Sequence, residues 1–289
     1  MSTIRIVTDS TADLPAELRK SLGVEMVPLE VLFGEESFLD SVTIGPDEFY
    51  SKLAVSHQLP KTSQPSTLSF KEMYERILAE TPGATIISIH LSASLSGTYQ
   101  SAVIGSTMVE TADGSEPDIT VIDSKSASIG IGVLVRRAAE MVQRGCSKEE
   151  ILQEVERLRA ETKIYFLVDT LEFLQKGGRI GRASAVLGSL LNIKPILAID
   201  DDGFVTSVDK VRGQKKAMAR IIELIGQSFT EQEPLVMTIA YAQRREMADE
   251  LAVMMKERYN IALEYLFELG PVIGTHAGPG TVGLFMHRV

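Results

Sequence analysis

Short apolar runs alternate with longer amphipathic ones along this chain, and that alternation is its main structural signal. Residues 4–7, 84–91 and 119–122 are apolar and rich in β-branched side chains, the pattern of strands buried on both faces. Thr8-Asp-Ser-Thr-Ala-Asp-Leu-Pro15 reads as a turn that supplies N-caps to a helix through Lys20. Residues 24–32 read as extended, and Pro46 fits the first turn of a short helix. Ser69-Phe-Lys-Glu72 has capping-box spacing for a helix through Glu80. Helical stretches at 99–110, 126–143 and 147–161 complete this half. Strands alternating with helices predict a mostly parallel sheet covered on both faces.

The second half has a different rhythm. A strand at 163–168 leads to a helical 171–176, a break at Gly177-Gly178, and a second helical stretch at 183–191. Residues 196–199 and 205–208 flank Asp200-Asp-Asp-Gly203, which predicts a hairpin because Asp-Gly favours tight turns. Helices near 213–227 and 243–258 flank a strand at 235–240, with further strands at 261–266 and 281–287. The expected fold is α/β in two domains. An N-terminal domain (1–160) is mostly parallel sheet flanked by helices, and a C-terminal α/β domain (161–289) holds a mixed sheet. At 289 residues the chain exceeds the usual single-domain size, so a cleft between two domains is expected.

Composition narrows the function classes. Hydrophobic residues make up 44% of the chain, enough for sizeable cores, yet no apolar run approaches the roughly 20 residues of a membrane span. The start runs directly into a strand-like segment without a basic and apolar leader, so a cytoplasmic location is expected. A net charge of −10 disfavours nucleic acid as a partner and leaves only transient membrane contact open. The lone Cys146 excludes an intramolecular disulfide and, with no His or Lys beside it in sequence, reads as structural.

The chemistry collects in four loops where strands should end, the place where open α/β sheets bind ligands. These are 8–15, Lys61-Thr-Ser-Gln-Pro-Ser66, Ser92-Ala-Ser-Leu-Ser-Gly-Thr98 and His276-Ala-Gly-Pro-Gly280. The third runs from a buried strand into a helix, an arrangement that aims backbone N–H groups and hydroxyls at a small anionic group. Each loop taken singly also reads as an ordinary turn. Of the four histidines, His57 and His287 are expected at the surface and His90 in a structural role. His276, in a flexible turn before the last strand, fits a functional or a structural role. No His-x-x-x-His pair, cysteine cluster, Walker A sequence, dinucleotide glycine fingerprint or Gly-x-Ser-x-Gly elbow is present, so no metal or cofactor is expected.

Taken in order, Thr8–Pro15, Thr62-Ser-Gln-Pro65, Leu95-Ser-Gly-Thr-Tyr-Gln-Ser-Ala102, Asp123-Ser-Lys-Ser126, Lys176-Gly-Gly-Arg-Ile-Gly-Arg182 and His276–Gly280 resemble the DegV family of bacterial fatty-acid-binding proteins. The resemblance runs from about residue 4 to the C-terminus. It implies one long-chain fatty acid, such as palmitate (hexadecanoate), stearate or oleate, in a tunnel between the domains. It also implies a separate fatty acid kinase that phosphorylates the carboxylate, so the chain itself would be a carrier and not an enzyme. By the same resemblance Thr62, Ser96 and His276 sit at the carboxylate, Arg212 positions the phosphorylated head, and Arg182 docks the kinase. Arg179 is a further docking residue or holds its turn together. Ala93 departs from the adjacent serine pair of many relatives, which removes one accessory hydroxyl. Leu187, Leu191 and Ile193 are candidates for the tunnel wall, although their spacing fits plain core packing equally well. Two other classes stay open: a stand-alone serine hydrolase using Ser96 and His276, and a lipid sensor without a kinase.

Overall fold

A computed structural model describes residues 3–111, 114–188 and 193–289. The first half supplies β1 (Ile4–Asp9), α1 (Ala16–Leu22), β2 (Val24–Val27), β3 (Glu30–Phe33), β4 (Glu36–Leu39), α2 (Pro46–Val55) and β5 (Lys61–Ser63). It continues through α3 (Thr67–Glu80), β6 (Thr85–His90), α4 (Thr98–Thr107), β7 (Ile119–Asp123), α5 (Ile129–Gln143) and α6 (Lys148–Glu161). β2-β1-β6-β7 form a parallel sheet, as the alternation predicts. Every residue of β6 is buried, consistent with helices on both faces.

The second half runs β8 (Lys163–Leu167), α7 (Glu172–Lys176), β9 (Ile193–Ile199), β10 (Val205–Arg212), α8 (Gln214–Ile225), β11 (Leu235–Tyr241) and α9 (Arg245–Lys256). β12 (Ile261–Glu268), α10 (Pro271–Ala277) and β13 (Val282–Arg288) follow. Its sheet has the order β10-β9-β8-β13-β11-β12 and is mixed, with β11 and β12 parallel and the other pairs antiparallel. The β9–β10 hairpin forms around Asp200–Gly203 as its Asp-Gly turn predicts.

Several sequence expectations need correction. Residues 24–32 are not one extended element: Pro28, which cannot donate to a ladder, separates β2 from β3, and β3 enters a small antiparallel sheet, β4-β3-β5. α3 begins at Thr67, because Ser66 caps it by accepting the Ser69 N–H at 3.0 Å; Ser69 is inside the first turn. The helix expected at 183–191 is a 3₁₀ segment, Gly181–Val186, that ends at Leu187, and Leu191 lies outside the described residues. His287 is buried, with Nδ1 2.6 Å from the Arg288 carbonyl.

The largest correction is α10. Pro271-Val-Ile-Gly-Thr-His-Ala277 contains glycine and β-branched residues, which weaken helix propensity, so the segment reads as loop. Burial overrides that preference. Pro271 takes the first helical position, and Val272, Thr275 and Ala277 are buried. Gly274 has no room for a side chain, since a Cβ there would come within 2.7 Å of both Phe49 and Tyr50 on α2. One apolar core joins the two halves here, with Leu269, Val272 and Phe285 packed among Leu29, Phe49, Ile89 and Ile131.

Polar ties hold the start of α10. Asp13, in a left-handed conformation (φ 52°), accepts the Gly270 N–H at 3.1 Å and the Ser128 hydroxyl at 2.6 Å. Tyr50 donates to the Leu269 carbonyl at 3.2 Å. Burial raises the Asp13 pKa well above its ordinary value, and it pushes neighbouring Asp40 up from 3.8 to about 7, with the Asp9 charge adding to the effect. An acid with a higher pKa in the folded state binds more protons when folded. Its contribution therefore falls as pH rises from about 4 to about 7, by at most about 1.4 kcal/mol per pH unit. Asp40→Asn should flatten that part of the pH–melting profile, measured by thermal denaturation. An unchanged profile would assign the loss to other groups.

Candidate functional site

The loops at the ends of β5 and β6 face α10 across the joint between the halves. Thr62 lies in β5, held opposite Val31 of β3. Gln64 follows, and its side-chain amide donates to Ser101 of α4 at 3.1 Å, drawing this strand toward the β6–α4 loop. Ser96 precedes α4, with its hydroxyl 2.9 Å from Thr98 Oγ1 and accepting the Thr98 N–H at 3.3 Å. His276 occupies the last turn of α10, not a flexible loop, and its Nε2 is 2.7 Å from Thr62 Oγ1. Arg179 reaches across from the turn after α7, donating from Nε to the Leu95 carbonyl at 3.0 Å and from Nη1 to the Gly177 carbonyl at 2.8 Å.

Thr62, Ser96, Arg179 and His276 thus converge, although 214 residues separate the first from the last. They sit on the wall of one cavity between the two halves of the chain. The other polar lining residues are Ser128 and Thr281; the rest of the wall is apolar, including Leu29, Leu91, Ile164, Phe166, Ile199 and Phe285. Thr62, Arg179 and His276 also line a polar hollow outside the cavity, beside His57, Lys61 and Lys176, the last paired with Glu172 at 2.6 Å. The chamber is greasy inside and cationic at its mouth.

His276 is neutral near pH 7. Burial, reinforced by the adjacent Arg179 charge, lowers its pKa from 6.5 to about 4. A neutral ring carries one proton. On Nε2 it donates to Thr62 and leaves the Thr62 hydroxyl free to donate to a ligand. On Nδ1, which has no hydrogen-bond partner among the described residues, it becomes a donor itself while Thr62 donates to Nε2. Gly177 leaves room for the ring, since a Cβ there would come within 2.3 Å of Nδ1.

The remaining expected residues lie elsewhere. Arg212 is exposed at the end of β10, opposite Ile193, and does not line the cavity. Arg182 is exposed and forks between Asp200 and Asp202, at 2.6 Å each, with its guanidinium 5.0 Å from the Phe204 ring centre. Leu187 is exposed, and neither it nor Ile193 lines the cavity. The sequence reading missed Ser128 and Thr281; Ser128 follows the Asp123-Ser-Lys-Ser126 motif by two residues, which was its only signal. Cys146 is a half-buried free thiol packed against the main core.

Two alternative chemistries find little support. Ser96 bonds to Thr98 and not to His276, and no carboxylate among the described residues orients His276 Nδ1. A Ser–His–Asp chain does exist, with His90 Nδ1 3.0 Å from Asp9 and Nε2 2.6 Å from Ser88, but all three residues are fully buried and line no cavity described above. His90 is structural, as expected. Among the described residues no group of three or more His, Cys, Asp or Glu side chains could hold a metal ion, and no helix is long and apolar enough to cross a membrane.

A family model described as an uncharacterised protein of the DegV family matches residues 3–288. The chain belongs to the DegV family. A DegV domain-containing protein of Halalkalibacterium halodurans is 39% identical over 98% of both chains. A solved DegV family protein from Thermus thermophilus, described by its fatty acid binding, superposes with a TM-score of 0.89 at 37% identity, covering 99% of this chain and 100% of that one. The solved DegV of Bacillus subtilis, described as a fatty acid binding protein, gives 0.89 at 34% identity with full coverage of both.

NMR titration of the histidine ring signals should place His276 near pH 4, and Arg179→Ala should move it toward 6.5 by removing the adjacent charge. A wild-type value near 6.5 would contradict the buried, neutral ring.

Proposed function

We propose that the chain binds one long-chain fatty acid in this cavity, with the carboxylate at Thr62, Ser96 and His276. The observation that carries the reading is the pairing of a mostly apolar chamber with the cluster of Thr62, Ser96, Arg179 and His276 on one part of its wall. Burying roughly fourteen methylenes of a palmitate tail is worth about 11 kcal/mol before association costs. The tail therefore supplies affinity, and the hydroxyls select the head group. Because His276 is neutral, Arg179 is the positive charge beside the carboxylate, and its two backbone bonds hold it there. The solved fatty-acid-binding relatives support the ligand class.

The further proposal is that this protein is a carrier and not an enzyme. A separate fatty acid kinase in the cytoplasm would phosphorylate the carboxylate that the mouth presents; Arg212, which lines neither the cavity nor its mouth, would position the phosphorylated head only in the complex with that kinase. Arg182 would dock that partner, its pairs with Asp200 and Asp202 giving way to carboxylates of the kinase. A division near residue 160 belongs to the same proposal, with the ligand lying between the two parts. A lipid sensor would share the cavity but not the kinase step.

Native mass spectrometry should find one fatty acid per chain, released on denaturation; a protein that carries none and takes up no added palmitate or oleate would overturn the reading. Loss of a charge-assisted hydrogen bond of about 1.5–3 kcal/mol predicts a roughly 10- to 150-fold higher Kd for palmitate in Thr62→Val, with the fold intact. Arg182→Ala should keep its lipid yet lose kinase- and ATP-dependent acyl phosphate. Normal turnover by that variant would leave Arg182 a hairpin clamp only.

A further inference from the structure

The cavity meets a second cleft at a wall remote in composition from the mouth. Ile164 of β8 and Ile199 at the end of β9 line both the cavity and an outer cleft, and neither lines the hollow at the mouth. The outer cleft mixes charged side chains, Lys125, Glu156, Arg159, Lys163, Asp200 and Asp201, with apolar ones such as Leu134 and Val208. Both isoleucines are half-buried and belong to the wall of the apolar chamber and to that of the outer cleft at once. Ile164 Cδ1 lies against α5, where a Cβ added to Gly130 would come within 3.3 Å of it. Ile199 pairs with Val205, another cavity residue, at the base of the β9–β10 hairpin.

That hairpin is fastened down. Ser92 donates to the Gly203 carbonyl at 3.0 Å, Ser94 donates to the Asp202 carbonyl at 2.7 Å, and Arg182 grips Asp200 and Asp202. The two serine bonds, which do not involve Arg182, tie the tip to the β6–α4 loop next to Ile199.

We propose that Ile164 and Ile199 form the stop that sets the longest acyl chain the cavity accepts, an inference that rests on the fatty-acid reading above. Each methylene sheltered inside strengthens binding by about fourfold. A methylene pushed past the two isoleucines enters a cleft open to solvent, gains little shelter, and displaces water that solvates Lys125, Lys163 and Asp201. Affinity therefore climbs with chain length up to the stop and then ceases to climb.

The test is a series of Kd values for straight-chain saturated fatty acids, from laurate to behenate, on delipidated full-length protein. The wild type should gain about fourfold per methylene up to a limiting length and nothing beyond it. Ile164→Ala and Ile199→Ala each open space and should move that limit to longer chains by roughly two carbons. Ile164→Phe should move it to shorter ones. Ile199→Val, which removes a single methyl group, provides a mild variant if an alanine variant fails to melt cooperatively, and it too should lengthen the limit. An unchanged limit in the folded variants, or a wild-type affinity that climbs without a break, overturns the stop. A wild type that binds no member of the series overturns the fatty-acid reading itself, which is a separate outcome.

Discussion

The seating of α10 in the first half of the chain is the constraint on which the rest depends. Its start is tied to Asp13 and Tyr50, its middle needs Gly274 to lie against α2, and its last turn brings His276 to Thr62. Without that helix the first half would lose a wall of its core, and the cavity would lose its mouth. Packing and site are therefore one interaction. The apolar residues that bury the helix also line the chamber, as Leu29, Leu269, Val272 and Phe285 do both.

The electrostatics follow from the same burial. His276 and Asp40 are moved in the directions that favour their neutral forms, downward for the imidazole and upward for the carboxyl. Arg179 stays at the mouth because two of its five N–H donors are held by fixed carbonyls, which leaves the others for a ligand. A chain of net charge −10 thus keeps Lys61, Lys176 and Arg179 at the mouth of the cavity, and this suits an anionic head group.

Much of this was legible in the sequence because it rests on local signals. Strand-helix alternation gave the parallel sheet, Asp-Gly gave the β9–β10 hairpin, and the hydroxyl and glycine loops marked the segments within which the family resemblance singled out Thr62 and Ser96. What stayed hidden is tertiary in origin. α10 has weak helix propensity and forms because its neighbours bury it. Pro28 splits what looked like one extended run between two sheets, and the β4-β3-β5 sheet has no strong alternation of its own. The cavity wall was misjudged because Leu187 and Ile193 resemble core positions in sequence, whereas the actual wall draws on residues from Leu29 to Phe285 that share no periodicity.

The central claim is that the head of the ligand lies at the Thr62–His276 pair while its tail fills the chamber. A crystal structure of the protein with palmitate tests this most directly. The account predicts one carboxylate within hydrogen-bond distance of Thr62 and Ser96, beside Arg179, with the chain running past Phe166 and Phe285. A palmitate carboxylate elsewhere, or an empty chamber at saturating ligand, would contradict it.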